Sequence, residues 1–461
     1  MSQRTTVDWI AVDRFIMGEA RIGSRIPGHL RRLCAEIGPR WGGSAAERLA
    51  AEHVRASFQA FGLDRARLEE FPVQTWESTG ATLAVEGKRG AALTARPALF
   101  CPQIETAGPL IDVGFGYDHT LSGISDRLPG AIVLIEPGLE PFSQPLPLTN
   151  RLEMLAHMGA RAAIAISGMP GRRTQHISGN DWRDGLPGVG PLPLVMVTRE
   201  DGRSLTALAG APIRLTVRAR LFDATSVNTV AELPGALWPD EQIVLGSHHD
   251  TTPDSPGAND NASGTSVVLE TARILSAARE ARFVPGRTIR FVTFGSEEQA
   301  LQGSFAFVAR HYGPEPRPRL MINLDELATG DMKGVALQLP ELRPLVQDAL
   351  DSMNEGLQCH VMAQFDASGD MFPFALAGIP SGMLWRWRFV GRHPDAAFGH
   401  SDTDTIDKVR VRELRDYAGL LSRLLARLSA SPPEAWPENR LDPAAIRKQA
   451  LAQRGTVIRT M

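Results

Sequence analysis

The chain has 461 residues, 43% hydrophobic and 22% charged, with 49 Lys and Arg against 52 Asp and Glu for a formal charge of −3. At roughly 150 residues per domain this allows two or three domains, or one large core with an insert. It excludes a wholly disordered chain and shows none of the basic excess of a nucleic-acid binder.

Taken in chain order, the first twenty residues have their apolar positions interrupted by Asp8, Asp13 and Arg14, so they lack the apolar core of a signal peptide. No run of ~18 apolar residues occurs anywhere, so no membrane span is expected; a cytoplasmic location is the default. Residues 44–61 predict a helix. Ser44 and Glu47 form a capping-box pair, Val54, Phe58 and Phe61 recur at helical spacing, and Gly62 stops it. From 78 to 225 short apolar runs such as 130–135 and 194–197 alternate with Gly- and Pro-rich loops and a helical stretch over 151–158. That texture predicts a small, separate, β-rich domain with no catalytic cluster. From 226 onward strand and helix alternate: strands over 242–246, 288–294 and 320–324, helices over 263–278 and 414–428. This predicts an α/β domain with a mostly parallel central sheet and helices on both faces, built from 1–77 and 226–430. The prolines after Leu428 open a tail over 431–461, read as a peripheral arm. Cys34, Cys101 and Cys359 are far apart, which excludes a CxxC pattern and a disulfide framework.

Five short segments carry candidate chemistry, and each follows a predicted strand or opens a helix, where open α/β sheets place their sites. In Ser247-His248-His249-Asp250, residues two apart share a side of an extended chain, so His248 and Asp250 face together and His249 faces away. His-x-Asp thereby supplies an imidazole ligand and the carboxylate that orients it. Asp260 lies in Gly257-Ala-Asn-Asp260-Asn-Ala-Ser-Gly264, a Gly-flanked turn into a helix. Glu297 and Glu298 are adjacent carboxylates after a strand, suited to two jobs: one binds metal while its neighbour acts as general base. Asp325 ends a buried strand, and His400 heads the acidic loop 399–405. Alone, each reads equally as a cap or a surface residue. Together they make two N/O sites sharing Asp260, a donor set that suits zinc. Two divalent ions would be neutralised by Asp260, Glu298, Asp325 and one hydroxide.

The segments HHD, GANDNASG, FGSEEQALQGS, INLDE and GHSDTDTIDKV resemble the twenty-eighth metallopeptidase family, which includes two-zinc aminopeptidases, carboxypeptidase Q and glutamate carboxypeptidase. Ile37-Gly-Pro-Arg-Trp-Gly-Gly-Ser44 is similar to the family's opening motif, and residues 130–197 look like the protease-associated domain inserted in many members. The resemblance implies two Zn(2+): one on His248 and Asp325, the other on Glu298 and His400, with Asp260 bridging. Asp250 would orient His248, and Glu297 would be the base in hydrolysis of a peptide substrate. It implies an exopeptidase, foremost an aminopeptidase, with an insert that shapes the substrate cleft or mediates a homodimer contact. A carboxypeptidase or dipeptidase is the alternative, because Arg386, Arg388 and Arg392 precede His400 and Arg can clamp a free carboxylate. A non-catalytic binding protein on this fold would be expected to have lost ligands or base. The chain departs from the family in Ser368-Gly-Asp370-Met371-Phe-Pro373-Phe374, where many members carry Ser-Asp-His before Pro-Phe. Of its three tyrosines, none lies in the late loop where some members place an oxyanion-stabilising Tyr.

Overall fold

The structure, a computed structural model, describes residues 7–85, 92–178, 190–313, 315–328, 332–353, 360–386, 398–438 and 440–452. The chain forms two compact units: Met1–Val73 with Thr225–Ala450, and Gln74–Ala224, short C-terminal pieces aside. In chain order the strands are β1 Asp64–Val85, β2 Ala92–Pro97, β3 Ile104–Asp112, β4 Ile132–Ile135, β5 Ala162–Ile166, β6 Leu194–Val197, β7 Pro212–Leu233, β8 Trp238–His248, β9 Arg287–Phe294, β10 Leu320–Asn323, β11 Met332–Leu337, β12 His360–Ala363 and β13 Ser381–Arg386.

The first unit holds the sheet order β7-β9-β8-β10-β13-β11-β12. Its centre, β9-β8-β10-β13, is parallel, while β7 joins β9 and β11 joins β13 in antiparallel fashion. Alternation along the strands divides the core between the two faces. Ile243, Leu245, Ile289, Phe291, Leu320 and Ile322 join one cluster with helices Gly264–Ala277 and Val411–Ala430. Val244, Val292, Phe294 and Met321 join another with Phe307, Tyr312 and Phe374. Helices therefore cover both faces, as the alternating sequence pattern predicts. The chain runs from β8 to β9 on one side and later returns to β10 on the other side of β8. The carboxyl ends of these three strands thus meet at a topological switch point. Register keeps those ends level: His248 pairs with Phe294, and Gly246 with Asn323.

The second unit has its own sheet, with β3, β4, β5 and β6 in parallel. Val133, Ile135, Ala163, Ala165, Leu194 and Met196 pack there against Leu152 and Leu155 of helix Leu148–His157.

Two expectations are modified. The Ser44 hydroxyl caps helix Ala45–Ala60 by accepting from the Glu47 N–H, but the Glu47 carboxylate does not complete a capping box. It accepts instead from Gly43 N–H beside the cap and from the distant Ser226 hydroxyl and Ser296 N–H. The segment after Leu428 is no peripheral arm over its described part. Trp436, Leu441, Ile446 and Ala450 are buried in the main core, since their apolar area outweighs the break the prolines impose. The N-terminal apolar residues form an amphipathic helix, Trp9–Arg21, capped by Asp8, with Val12, Ile16 and Ala20 buried at four-residue intervals. Among the described residues no helix is long and apolar enough to cross a membrane. Cys34 and Cys101 are buried free thiols, and Cys359 lies outside the described residues.

One buried polar contact gives the fold a pH dependence. His29 Nδ1 lies 3.1 Å from Nε2 of His53, tying the first turns of the chain to helix Ala45–Ala60. Burial, with His53, Arg25 and Arg273 adding like charge, pushes His29 down to about 3 from an ordinary 6.5. A group kept neutral by the fold contributes stability that is full above its unfolded value and drains as pH falls from about 6.5 toward 3. Denaturant titrations between pH 7 and pH 4.5 should show the native protein losing up to about 1.4 kcal/mol per pH unit more than His29→Gln. Parallel curves for the two proteins would remove His29 from the account.

Candidate metal centre

The sequence-predicted ligands converge at the carboxyl ends of β9, β8 and β10. His248 ends β8, and its Nδ1 lies 3.4 Å from Asp250 Oδ1. His249 turns to the other side, with Nδ1 3.0 Å from the Thr293 hydroxyl. Burial, with Arg40 nearby, pushes His249 down to about 4, which marks it as a neutral core histidine. Beyond β8 the chain reaches Gly257 with φ +59°, where a Cβ would lie 2.1 Å from Thr251 Cγ2, so glycine alone fits. Asp260 departs from helical angles (φ −116°, ψ 92°) before helix Gly264–Ala277 begins. This break presents its carboxylate between the two histidines: Oδ1 is 3.2 Å from His248 Nε2 and Oδ2 is 3.0 Å from His400 Nε2.

Glu297 and Glu298 occupy one short turn after β9. Both of their backbone N–H groups donate to Asp250, at 3.1 and 3.2 Å. Asp250 thus clamps the Glu pair as well as facing His248, a double task that sequence spacing does not reveal. Glu298 Oε2 is 3.3 Å from His400 Nε2, while its Oε1 accepts from Thr252 N–H. Glu297 Oε2 lies 3.8 Å and Asp325 Oδ1 3.4 Å from His248 Nε2. Two clusters result, His248 with Glu297 and Asp325, and Asp260 with Glu298 and His400, each with donor atoms within 4.8 Å of one another. Asp260 stands in the second cluster and touches the histidines of both.

The electrostatics show what this donor set is made for. Burial and neighbouring acids push Glu298 up to about 8 and Glu297 well above the carboxylate range. Burial disfavours an imidazolium at His400, yet Glu298 and Asp260 outweigh it and raise His400 to about 10. Two imidazoles supply at most two positive charges against Asp250, Asp260, Glu297, Glu298 and Asp325. Burying that surplus of like charge is costly unless cations neutralise it. The donors are nitrogen and carboxylate oxygen in two adjoining groups, which fits a pair of borderline divalent ions.

Sequence reasoning missed the groups that hold the ligand loops. Asp404 accepts from Asn259 N–H at 2.8 Å and Asp260 N–H at 3.0 Å, while its carbonyl accepts from Ala258 N–H. It lies four residues after His400 and ties that ligand's loop to the turn carrying Asp260. Arg40 is fully buried and donates to the carbonyls of Leu33, Gly38, His249, Pro256 and Gly257. Each lies inside a segment the sequence marks, but the partners come from distant parts of the chain. Asp370, which precedes the Met371 that stands where a histidine was expected, is buried and pushed up to about 7 by burial. Trp387, Arg388 and Arg392 lie outside the described residues, as does the Arg386 side chain.

The chain is similar to known peptidases. The family model described as Peptidase family M28 matches residues 228–425. Aminopeptidase YwaD of Bacillus subtilis (strain 168) is 28% identical over 414 residues, 85% of this chain and 82% of that protein. Carboxypeptidase Q of Xenopus laevis is 23% identical, covering 81% of this chain and 80% of that one. Among solved structures, a zinc aminopeptidase from Bacillus subtilis superposes with a TM-score of 0.69 at 24% identity, over 90% of this chain and 97% of that one. A peptidase M28 precursor from Shewanella amazonensis gives 0.71 at 20% identity, over 94% and 98%. These two likenesses establish the fold. With the family match across the strands and loops that carry the candidate ligands, and relatives aligned along most of its length, the chain is similar to peptidase family M28 over residues 228–425 and is a peptidase.

Proposed function

We propose that the chain is a metal-dependent exopeptidase, an aminopeptidase, that hydrolyses peptide bonds at a centre of two zinc ions. The observation that carries this reading is Asp260, whose two oxygens each face a different histidine at 3.2 and 3.0 Å. His248 and Asp325 would hold one ion, Glu298 and His400 the other, and Asp260 both. Zinc bound there would polarise the scissile carbonyl and acidify a water. The protein's own part is positional and acid–base. Asp250 faces His248 Nδ1 at 3.4 Å and would orient the ring so that Nε2 is presented to the centre. It also fixes the backbone from which Glu297 and Glu298 project. Glu297 takes the proton of the attacking water and delivers it to the departing amine. The relatives include both aminopeptidases and carboxypeptidase Q. The aminopeptidases among those relatives, at up to 28% identity, favour the amino-terminal reading.

Four outcomes test this. Glu297→Ala should lower kcat by about a thousandfold with zinc content unchanged, since a general base contributes 10²–10⁴; parallel loss of zinc would make Glu297 a ligand instead. Substrates with a free amine and blocked carboxyl should be cleaved, and the reverse set spared. The opposite pattern would move the assignment to carboxypeptidase. Asp404→Ala should weaken zinc affinity about 10- to 100-fold, the range for supports of ligands. Chelation of the native protein should lower its thermal midpoint, and zinc should restore it, because ions bound only by the folded state stabilise it by mass action. An unshifted midpoint would speak against resident ions.

A further inference from the structure

Four successive amides lead through the turn that carries the Glu pair, and a side chain holds each of them. Asn228 Oδ1 accepts from Gly295 N–H at 3.0 Å, and Glu47 Oε1 from Ser296 N–H at 3.1 Å. Asp250 accepts from Glu297 and Glu298 N–H at 3.1 and 3.2 Å. The three acceptors come from β7, from helix Ala45–Ala60 and from the loop after β8. The Asn228 amide also donates to Gly303 O at 2.8 Å, which closes the far side of the turn.

Ser296 is the bend in this run. Its backbone is left-handed (φ +52°), a conformation disfavoured for serine and kept only under constraint. Glu47 supplies the constraint. Its side chain is fully buried; Oε1 also accepts from the Ser226 hydroxyl at 2.5 Å, and Oε2 accepts from Gly43 N–H at 2.7 Å. Packing here is so close that a Cβ on Gly295 would lie 2.4 Å from Glu47 Oε1.

The two acids of the pair are not equally anchored. Glu298 has its amide on Asp250, its Oε1 on Thr252 N–H and its Oε2 3.3 Å from His400 Nε2. Among the described residues no protein donor hydrogen-bonds the Glu297 carboxylate, whose Oε2 stands 3.8 Å from His248 Nε2. The aim of Glu297 is therefore set by its backbone, and so by the left-handed residue before it.

We propose that Glu47 is a positioning residue for catalysis, fixing through Ser296 the backbone that aims Glu297 at the attacking water. The inference rests on the reading of Glu297 as general base. The partners of Glu47 are Gly43, Ser226 and Ser296, none of them a candidate ligand. Loss of its hold displaces Glu297 and spares Glu298, which keeps its own three contacts.

The test separates reach from charge and asks whether the effect passes through Glu297. Glu47→Asp keeps an acid in the first turn of the helix but is one methylene shorter, so it withdraws from Ser296. Glu47→Gln keeps the reach; its one oxygen serves the two donors at Oε1, and the part-buried Gly43 N–H turns to water. Both are made in native and Glu297→Ala proteins, zinc-loaded and with zinc content measured. The substrate is leucine p-nitroanilide, or an N-acetylated dipeptide if native protein cleaves only that. Glu47→Asp should lower kcat about 30-fold with KM and zinc content unchanged, since a misplacement of about 1 Å can cost 10²-fold. Glu47→Gln should retain native kcat. In the Glu297→Ala background Glu47→Asp should lower kcat no further, because a role exerted through Glu297 is lost only once. Ser226→Ala, which removes only the hydroxyl at Oε1, should give a smaller loss of the same kind. It decides the matter if Glu47→Asp does not fold, with unchanged kcat counting against Glu47. Equal losses in both backgrounds, equal losses for Asp and Gln, or a loss of zinc matching the loss of activity would overturn the proposal. If Glu297→Ala itself retains native kcat, the base reading fails. If Glu297→Ala loses kcat and Glu47→Asp does not, only Glu47 falls.

Discussion

The first unit is organised around the cost of crowding carboxylates at the ends of three parallel strands. Asp250, Asp260, Glu297, Glu298 and Asp325 meet in a largely buried volume with two imidazoles. No arrangement of these groups alone is neutral without protonating acids, and Glu297 and Glu298 are pushed up accordingly. Such a cluster persists only if the surrounding fold holds it rigidly and cations complete it.

Much of the polar interior follows from that constraint. Arg40 joins the Leu33–Gly38 segment to the His249–Gly257 loop through carbonyls. Glu47 reaches from helix Ala45–Ala60 to Ser226 and to the backbone of Ser296, next to the Glu pair. Asp404 fastens the turn that carries Asp260. These residues form a shell of buried hydrogen bonds around the candidate ligands, and each satisfies backbone groups that an irregular loop would otherwise leave unpaired. The left-handed residues around the site, Gly257, Ser296, Ala300, Leu301 and Glu326, mark where the backbone is bent to serve it.

Function and scaffold are separable in this architecture. The apolar clusters on the two faces of the sheet make the strands a rigid platform. The loops beyond their carboxyl ends carry the charges. The paired roles of Asp250, toward His248 and toward the Glu backbone, join platform to loops in one side chain.

The amino-acid sequence alone determined the α/β class and the strands over 242–246, 288–294 and 320–324. It also determined the division of labour between His248 and His249, because periodicity and side-chain alternation are local properties of the backbone. The ligand-type residues were legible for a related reason: acids and histidines placed next to strand ends are rare enough to stand out together. The capping box at Ser44 and Glu47 shows the limit. The Ser44 half is local and formed, while the Glu47 half was decided by Ser226 and Ser296, some 180 and 250 residues away along the chain. Tertiary structure alone likewise decided the carbonyl cage of Arg40, the tether of Asp404, and the burial of Trp436 and Ile446. Each depends on which distant segments share space, and such long-range pairings leave no periodic trace in the chain.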